Sequence, residues 1–208
     1  MAVRILAALL VLTAPAWVAA QGLYTEGQHY FRIDPAVPTQ AEAGKVEVVE
    51  VFSYACVHCA TFEPFVSAWK KQLPAGAQFR ALPAVFSPAW EPYARAFYAA
   101  QALDALDTLH QPLFNALHTE RKALTTIEQI ADLAAGLGID RAEFLRAATA
   151  TSTDLKLRQA FDEARAFGIE GTPTMIVAGK YRVPTTGGFQ GMLEVVNYLV
   201  AMESGASR

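Results

Sequence analysis

From Lys45 to Tyr54 the chain is apolar at most positions, and Val46, Val48, Val49, Val51 and Phe52 are β-branched or aromatic. That composition predicts a half- or fully buried strand. The pattern then changes period. From Cys59 to Leu73 the residues Phe62, Phe65, Val66 and Trp69 recur at three and four, the stripe of a helix, which Pro74 and Gly76 end. Gln78 to Val85 reads as a second strand, so the segment is a strand–helix–strand unit. Helical patterns follow from about Glu91 to about Phe167, one of them lined by Ala94, Phe97, Tyr98, Leu103 and Leu106. Thr125 with Glu128 predicts a capping box before Ile127, Ile130, Leu133 and Leu137, with Gly138 closing that helix. Asp140 with Glu143 opens the next, and Ser152 or Thr153 is expected to cap a last one ending at Gly168. Strand character returns at Thr174 to Val177, with a turn at Gly179-Lys180 and a short strand from Tyr181 to Val183. A final helix spans about Phe189 to Met202, its inner face formed by Met192, Val195, Val196 and Leu199. Before all of this, Leu23 to Asp34 is turn-rich, with an edge strand around Tyr30 to Ile33 that Pro35 and Pro38 break. The order is β-β-α-β, a run of helices, then α-β-β-α, an α/β chain.

The N-terminus has its own pattern. Arg4 precedes an apolar run from Ile5 to Leu12, Pro15 interrupts it, and Val18-Ala19-Ala20 supplies small residues. This is the layout of a secretory signal, with cleavage expected after Ala20. A membrane anchor would need roughly 18 clean apolar residues, and Thr13 and Pro15 interrupt this shorter stretch. No cysteine follows the run, so no lipid attachment is expected, and the mature protein is expected to be exported. Of the 208 residues, 53% are apolar and 18% charged, enough to bury a core. The formal charge of −3 and the scattered Lys and Arg residues give no basic face for nucleic acid and no polybasic membrane patch.

The chain holds two cysteines, in the run Cys56-Val57-His58-Cys59. In an oxidising compartment they are expected to pair. A purely structural disulfide would gain little here, because so short a loop removes little entropy from the unfolded chain. Placement points to redox chemistry instead. At a helix start, unpaired backbone N–H groups and the positive end of the macrodipole favour a thiolate at Cys56 and lower its pKa. Cys59, one turn further in, is expected to face the core and stay protonated. His58 can add a donor or a positive charge beside the Cys56 sulfur. A stabilised Cys56 thiolate leaves easily, which makes the disulfide oxidising. Zinc is the rival reading, but it needs two further ligands, and His29, His110 and His118 show no suitable spacing. No metal and no cofactor is expected.

Two other features stand out. Gly171-Thr172-Pro173-Thr174 lies just before a strand, where an ordinary trans proline is the default. Glu50 interrupts an apolar strand six residues before Cys56. It either points to solvent at a strand end or is a buried carboxylate of raised pKa that moves protons to or from Cys59. Arg80 on the neighbouring strand is its candidate partner.

The run Phe52-Ser53-Tyr54-x-Cys56-x-His58-Cys59-x-x-Phe62-Glu63 resembles the thioredoxin-like disulfide oxidases of the DsbA family. So do Tyr24-x-x-Gly27 before it and Gly171-Thr172-Pro173 and Gly179-Lys180-Tyr181 after it. The resemblance implies a thioredoxin fold with an inserted helical domain: residues 21–86 and 153–208 as the two parts of the thioredoxin-like domain, 87–152 as the insertion, and 1–20 as signal. It implies a cis Pro173 and a peptide groove beside Cys56, with Val57, Thr172 and Pro173 contacting substrate. It further implies a periplasmic monomer that oxidises unfolded or reduced exported proteins and is reoxidised by a quinone-linked membrane partner of the DsbB type. The chain departs from the family in having Val57 where Pro is commonest and Thr172 where many members have Val, and Arg80 only approximately matches a basic residue near the buried acid.

The expected activity is donation of the Cys56–Cys59 disulfide through a mixed disulfide, with Cys56, Cys59, His58 and Glu50 carrying the chemistry. Two alternatives stand beside it. A reductase or isomerase would run on supplied electrons, though isomerases of this compartment usually dimerise through an extra domain that is not visible here. A non-enzymatic chaperone would use the groove and not the cysteines.

Overall fold

A computed structural model describes residues 23–205. The predicted signal segment lies outside the described residues. Strand β1 is short, Phe31–Arg32, and β2 spans Val46–Phe52. Helix α1 runs over Val57–Lys70 and β3 over Ala77–Pro83. The helices α2 (Glu91–Ala102), α3 (Leu106–Phe114), α4 (Ile127–Gly136), α5 (Arg141–Ala148) and α6 (Thr151–Ala166) follow, with a π-helical turn at Asn115–Thr119 after α3. Strands β4 (Thr174–Val177) and β5 (Tyr181–Val183) and helix α7 (Gly188–Glu203) close the chain. The sheet order is β1-β5-β4-β2-β3, with β2 parallel to β3 and antiparallel to β4. This is the thioredoxin topology with helices inserted between β3 and β4.

Alternation along β2 divides the core. Val46 and Val48 join Met175 and Val177 against α1 and α7, where Phe62, Val66, Trp69, Met192 and Val196 are buried. Val49 and Val51 join Ile176 on the other face, in one cluster with Phe97, Leu109, Leu113, Ile130 and Phe144 of the inserted helices. Because side chains of a strand alternate between faces, one seven-residue strand serves both clusters. Gly179 closes the β4–β5 turn at φ 64°, and a Cβ there would collide with the Val37 carbonyl.

Several local expectations shift. The capping box lies one residue later than the sequence suggests: the Thr126 hydroxyl accepts from Gln129 N–H at 3.4 Å, and the Gln129 side chain accepts from Thr126 N–H at 3.1 Å. Asp140 does cap α5, accepting from Glu143 N–H at 2.8 Å. Helix α6 begins at Thr151 without a side-chain cap, because the buried Thr153 donates instead to the Ala147 carbonyl at 2.7 Å. Phe65 is 41% exposed, and the buried stripe of α1 is Cys59, Phe62, Glu63, Val66 and Trp69.

Arg80 is not the partner of Glu50. The β2–β3 register sets Arg80 beside Val49 and Ala81 beside Glu50, so Arg80 belongs to the opposite face of the sheet. There its guanidinium donates to Glu47 at 3.1 Å and to Glu163 of α6. Glu47 is only 2% exposed, so losing the guanidinium would leave it buried without its ion-pair partner. Arg80→Ala is therefore expected to cost about 3 kcal/mol or more in urea unfolding, and a loss well under about 1 kcal/mol would mean that the cluster is solvated like a surface pair.

Candidate active site

Strand β2 delivers the chain to a tight turn. The Ser53 carbonyl accepts from Cys56 N–H at 3.1 Å, and the Ser53 hydroxyl accepts from Ala55 N–H at 3.2 Å. Cys56 then sits at the N-cap of α1 in an extended conformation, φ −88° and ψ 116°. Its sulfur accepts from Cys59 N–H at 3.4 Å and lies 3.3 Å from the Thr172 carbonyl, to which the thiol donates. The Thr172–Pro173 bond is cis. The strand that carries Glu50 and the turn before β4 thus meet at one sulfur.

The two cysteines, both free thiols in this structure, occupy different environments. Cys56 is half-buried, and its pKa is lowered to about 5. Hydrogen bonding from the Cys59 thiol is the largest cause, and the backbone N–H groups of Cys59 and His58 add to it against the opposing effect of partial burial. Cys59 is fully buried, and burial together with the neighbouring Cys56 sulfur pushes its thiol well above the ordinary range. One sulfur is built to ionise and the other to hold its proton.

Val57 is 58% exposed beside Cys56. His58 lines a cavity of about 290 Å³ together with Thr172, Pro173, Thr185 and Phe189. The ring of Phe189 packs against Phe62 and the exposed Phe65, with centroids 5.1 and 5.7 Å away, and extends the apolar surface from the cavity along α1.

Two buried carboxyl groups belong to the elements that flank the cysteines, Glu50 to β2 and Glu63 to α1. Glu50 is 4% exposed and has its pKa raised to about 8, first by burial and then by the charge of Glu63, with Lys70 opposing. Glu63 is buried too, yet burial is outweighed there by His110 and by the Ser67 hydroxyl, and its carboxyl is held below the usual range. His110 Nε2 is 3.2 Å from Glu63, and Nδ1 is 2.7 Å from the Tyr54 hydroxyl. His118, from the π-helical turn, lies 2.7 Å from the Tyr54 carbonyl. Among the described residues no cluster of three or more His, Cys, Asp or Glu is placed to hold a metal.

Of the seven residues singled out in the sequence, Cys56, Val57, His58, Cys59, Thr172 and Pro173 gather where the α1 N-terminus meets the turn before β4, with Cys59 and Pro173 buried, while Glu50 is buried within β2. Glu63, Tyr54, His110 and His118 were not singled out. Glu63 carried a signal, since it is the one charge on the buried stripe of α1. The two histidines carried none, because only the packing of the insertion brings them to Tyr54.

The family model for the DSBA-like thioredoxin domain matches residues 66–199. The chain belongs to this family. The match starts within α1, and full-length relatives cover the cysteine pair as well. The thiol:disulfide interchange protein DsbA of Pseudomonas aeruginosa is 36% identical over 207 residues, covering 98% of each chain. That of Azotobacter vinelandii is 37% identical over 182 residues, covering 86% of this chain and 85% of the relative. Among solved structures, Pseudomonas aeruginosa DsbA superposes with a TM-score of 0.83 at 36% identity, over 88% of this chain and 96% of that one. The oxidoreductase DsbA from Xylella fastidiosa gives 0.83 at 32% identity, over 88% and 99%. The DsbA-family fold, a thioredoxin domain interrupted by helices, is therefore the fold of this chain.

The asymmetry of the thiols has a measurable consequence. A Cys56 thiol ionising near 5 in the fold, against 9.0 ordinarily, stabilises the reduced protein, fully above pH 9 and not at all once pH falls below about 5. The disulfide form lacks this contribution. The urea midpoint of the reduced protein relative to the oxidised is expected to fall as pH is lowered from 9 to 5, and a difference independent of pH would show that Cys56 is not selectively ionised.

Proposed function

We propose that Cys56 and Cys59 are the exchanging pair of this enzyme and that it works as a periplasmic oxidase of newly exported proteins. As a member of the DsbA family the chain is a thiol–disulfide oxidoreductase. The observation that carries the direction is the contrast between a Cys56 thiolate favoured at the α1 N-terminus and a Cys59 thiol buried behind it. A reagent whose reduced form is stabilised gives its disulfide away.

The chemistry follows in two displacements. A substrate thiolate attacks the Cys56 sulfur of the Cys56–Cys59 disulfide. A substrate–Cys56 bond forms, the Cys56–Cys59 bond breaks, and Cys59 leaves with the electron pair. Its buried position disfavours a thiolate, so it takes a proton, and Glu50, an acid that remains protonated near neutral pH, is the proposed donor. A second substrate thiolate then attacks the substrate sulfur, and Cys56 departs as the stabilised thiolate. The substrate has lost two electrons and the enzyme has gained them. Reoxidation falls to a quinone-linked membrane partner of the DsbB type.

Substrate engagement uses the groove. An extended peptide lying along Thr172-Pro173, with its cysteine at Cys56, would place a neighbouring apolar side chain in the cavity beside Phe189 and another against Val57. Backbone pairing with few side-chain demands suits an enzyme that acts on many unfolded proteins. His58 flanks the same groove.

Replacing each cysteine separates the steps. Cys56→Ser is expected to abolish oxidation of a reduced test protein, whereas Cys59→Ala, presented with a substrate disulfide, is expected to accumulate the mixed disulfide, seen as a covalent adduct on a non-reducing gel. Oxidation that persists in Cys56→Ser would remove this cysteine from the reaction, and aggregation suppression without any need for Cys56 would point instead to a chaperone.

A further inference from the structure

The displacements above use Cys56, Cys59 and Glu50, and leave three polar groups without a task, two of them buried and His110 half-buried. Tyr54, His110 and Glu63 form one hydrogen-bonded chain. The Tyr54 hydroxyl is 2.7 Å from His110 Nδ1, His110 Nε2 is 3.2 Å from Glu63 Oε2, and the Ser67 hydroxyl donates to Glu63 Oε1 at 2.6 Å. The chain joins three parts of the fold. Tyr54 stands two residues before Cys56, Glu63 lies one helical turn after Cys59, and His110 comes from α3 of the insertion. His110 and Glu50 also line the same cavity, of about 300 Å³.

Building on the reading of Glu50 as the proton donor to Cys59, we propose that His110 is a positioning residue: it holds Glu63 as the carboxylate and so leaves the proton on Glu50. Two carboxyl groups in one buried site do not ionise independently, because the charge of the first raises the cost of the second. Which of them keeps the proton depends on which is offered a donor. His110 touches Glu63. Burial keeps the Tyr54 hydroxyl protonated, and a hydroxyl that donates to Nδ1, 2.7 Å away, would set the direction of the chain. Nε2 then carries a hydrogen and donates it to Glu63. His118, donating to the Tyr54 carbonyl, holds the tyrosine in place.

The other charged groups facing the pair do not make this choice. Lys70 of α1 lowers both Glu50 and Glu63. Arg80 of β3 lines the cavity, but its guanidinium is committed to Glu47 and Glu163. Asp107 of α3 lines the cavity and brings no donor that would hold a carboxylate. Cys59 remains a thiol, and Ala81 stands opposite Glu50 where a cation would otherwise neutralise it. With Glu63 anionic, Glu50 is the group left holding a proton when Cys59 leaves. It gives that proton to the Cys59 sulfur, becomes a carboxylate, and takes the proton back when Cys59 is reoxidised.

The test is infrared titration of the protonated carboxyl band of the full chain, following its loss as pH rises. In the unsubstituted protein the band should disappear around pH 8, and Glu50→Gln should remove it. In His110→Leu the midpoint for Glu50 should fall by about one unit, because Glu63 then takes up the proton and loses the charge that raised Glu50. A second band, removed by Glu63→Gln, should appear in His110→Leu. His110→Gln, which keeps an N–H for Glu63, should restore much of the original titration. Should His110→Leu fail to fold, Glu63→Gln alone serves: it should lower the Glu50 midpoint in the same way. A Glu50 titration unchanged in His110→Leu, or in Glu63→Gln, overturns the role of His110 while Glu50 remains the acid. A band that survives Glu50→Gln in the otherwise unsubstituted protein contradicts Glu50 itself.

Discussion

The site depends on one placement, a sulfur at the N-cap of a helix whose inner face is buried. At that position Cys56 receives backbone N–H groups that no helical carbonyl can claim, and it lies at the positive end of the α1 dipole. The Cys59 thiol donates to the same sulfur and lowers its pKa most, against the opposing effect of partial burial. Cys59, one turn on, falls on the face that packs against the core, so the same helix that favours charge on one sulfur denies it to the other. A disulfide joining two such sulfurs is poised to break toward Cys56.

The rest of the fold keeps that helix end in place. Strand β2 is paired on both sides, and its C-terminal end turns through Ser53 directly into the cysteines. Thr172 approaches from the turn before β4. The insertion contributes more than cover: His110 and His118 hold the hydroxyl and the carbonyl of Tyr54, and Phe52, Phe97 and Phe114 continue the core of the inserted helices up to the end of β2. The inserted helices are thus joined to the redox turn by polar contacts as well as by packing.

Much of this was legible in the sequence, for identifiable reasons. The β2 run and the β4–β5 hairpin have a composition that fits strands alone, and their bounds agree closely with the structure. Helix α1 announced itself by period, although the pattern could not tell that Phe65 belongs outside and Glu63 inside. Caps were displaced where two candidates stand side by side, as at Thr125 and Thr126, because either could serve and only the backbone path decides. The pairing of Arg80 was misjudged because strand register is not written in composition, and a shift of one residue moves a side chain to the other face. The histidines were invisible for a deeper reason. His110 reaches a glutamate 47 residues away, a contact that exists only once the insertion has folded onto α1.

If the stabilised Cys56 thiolate governs the chemistry, its effect must appear in the equilibrium of the whole redox couple. The most direct measurement is the equilibrium of the full chain with reduced and oxidised glutathione, read as a reduction potential. The account predicts a potential well on the oxidising side of thioredoxin, which lies at about −270 mV. A potential at or below that value would contradict it, and would mean that this cysteine pair accepts disulfides rather than donating them.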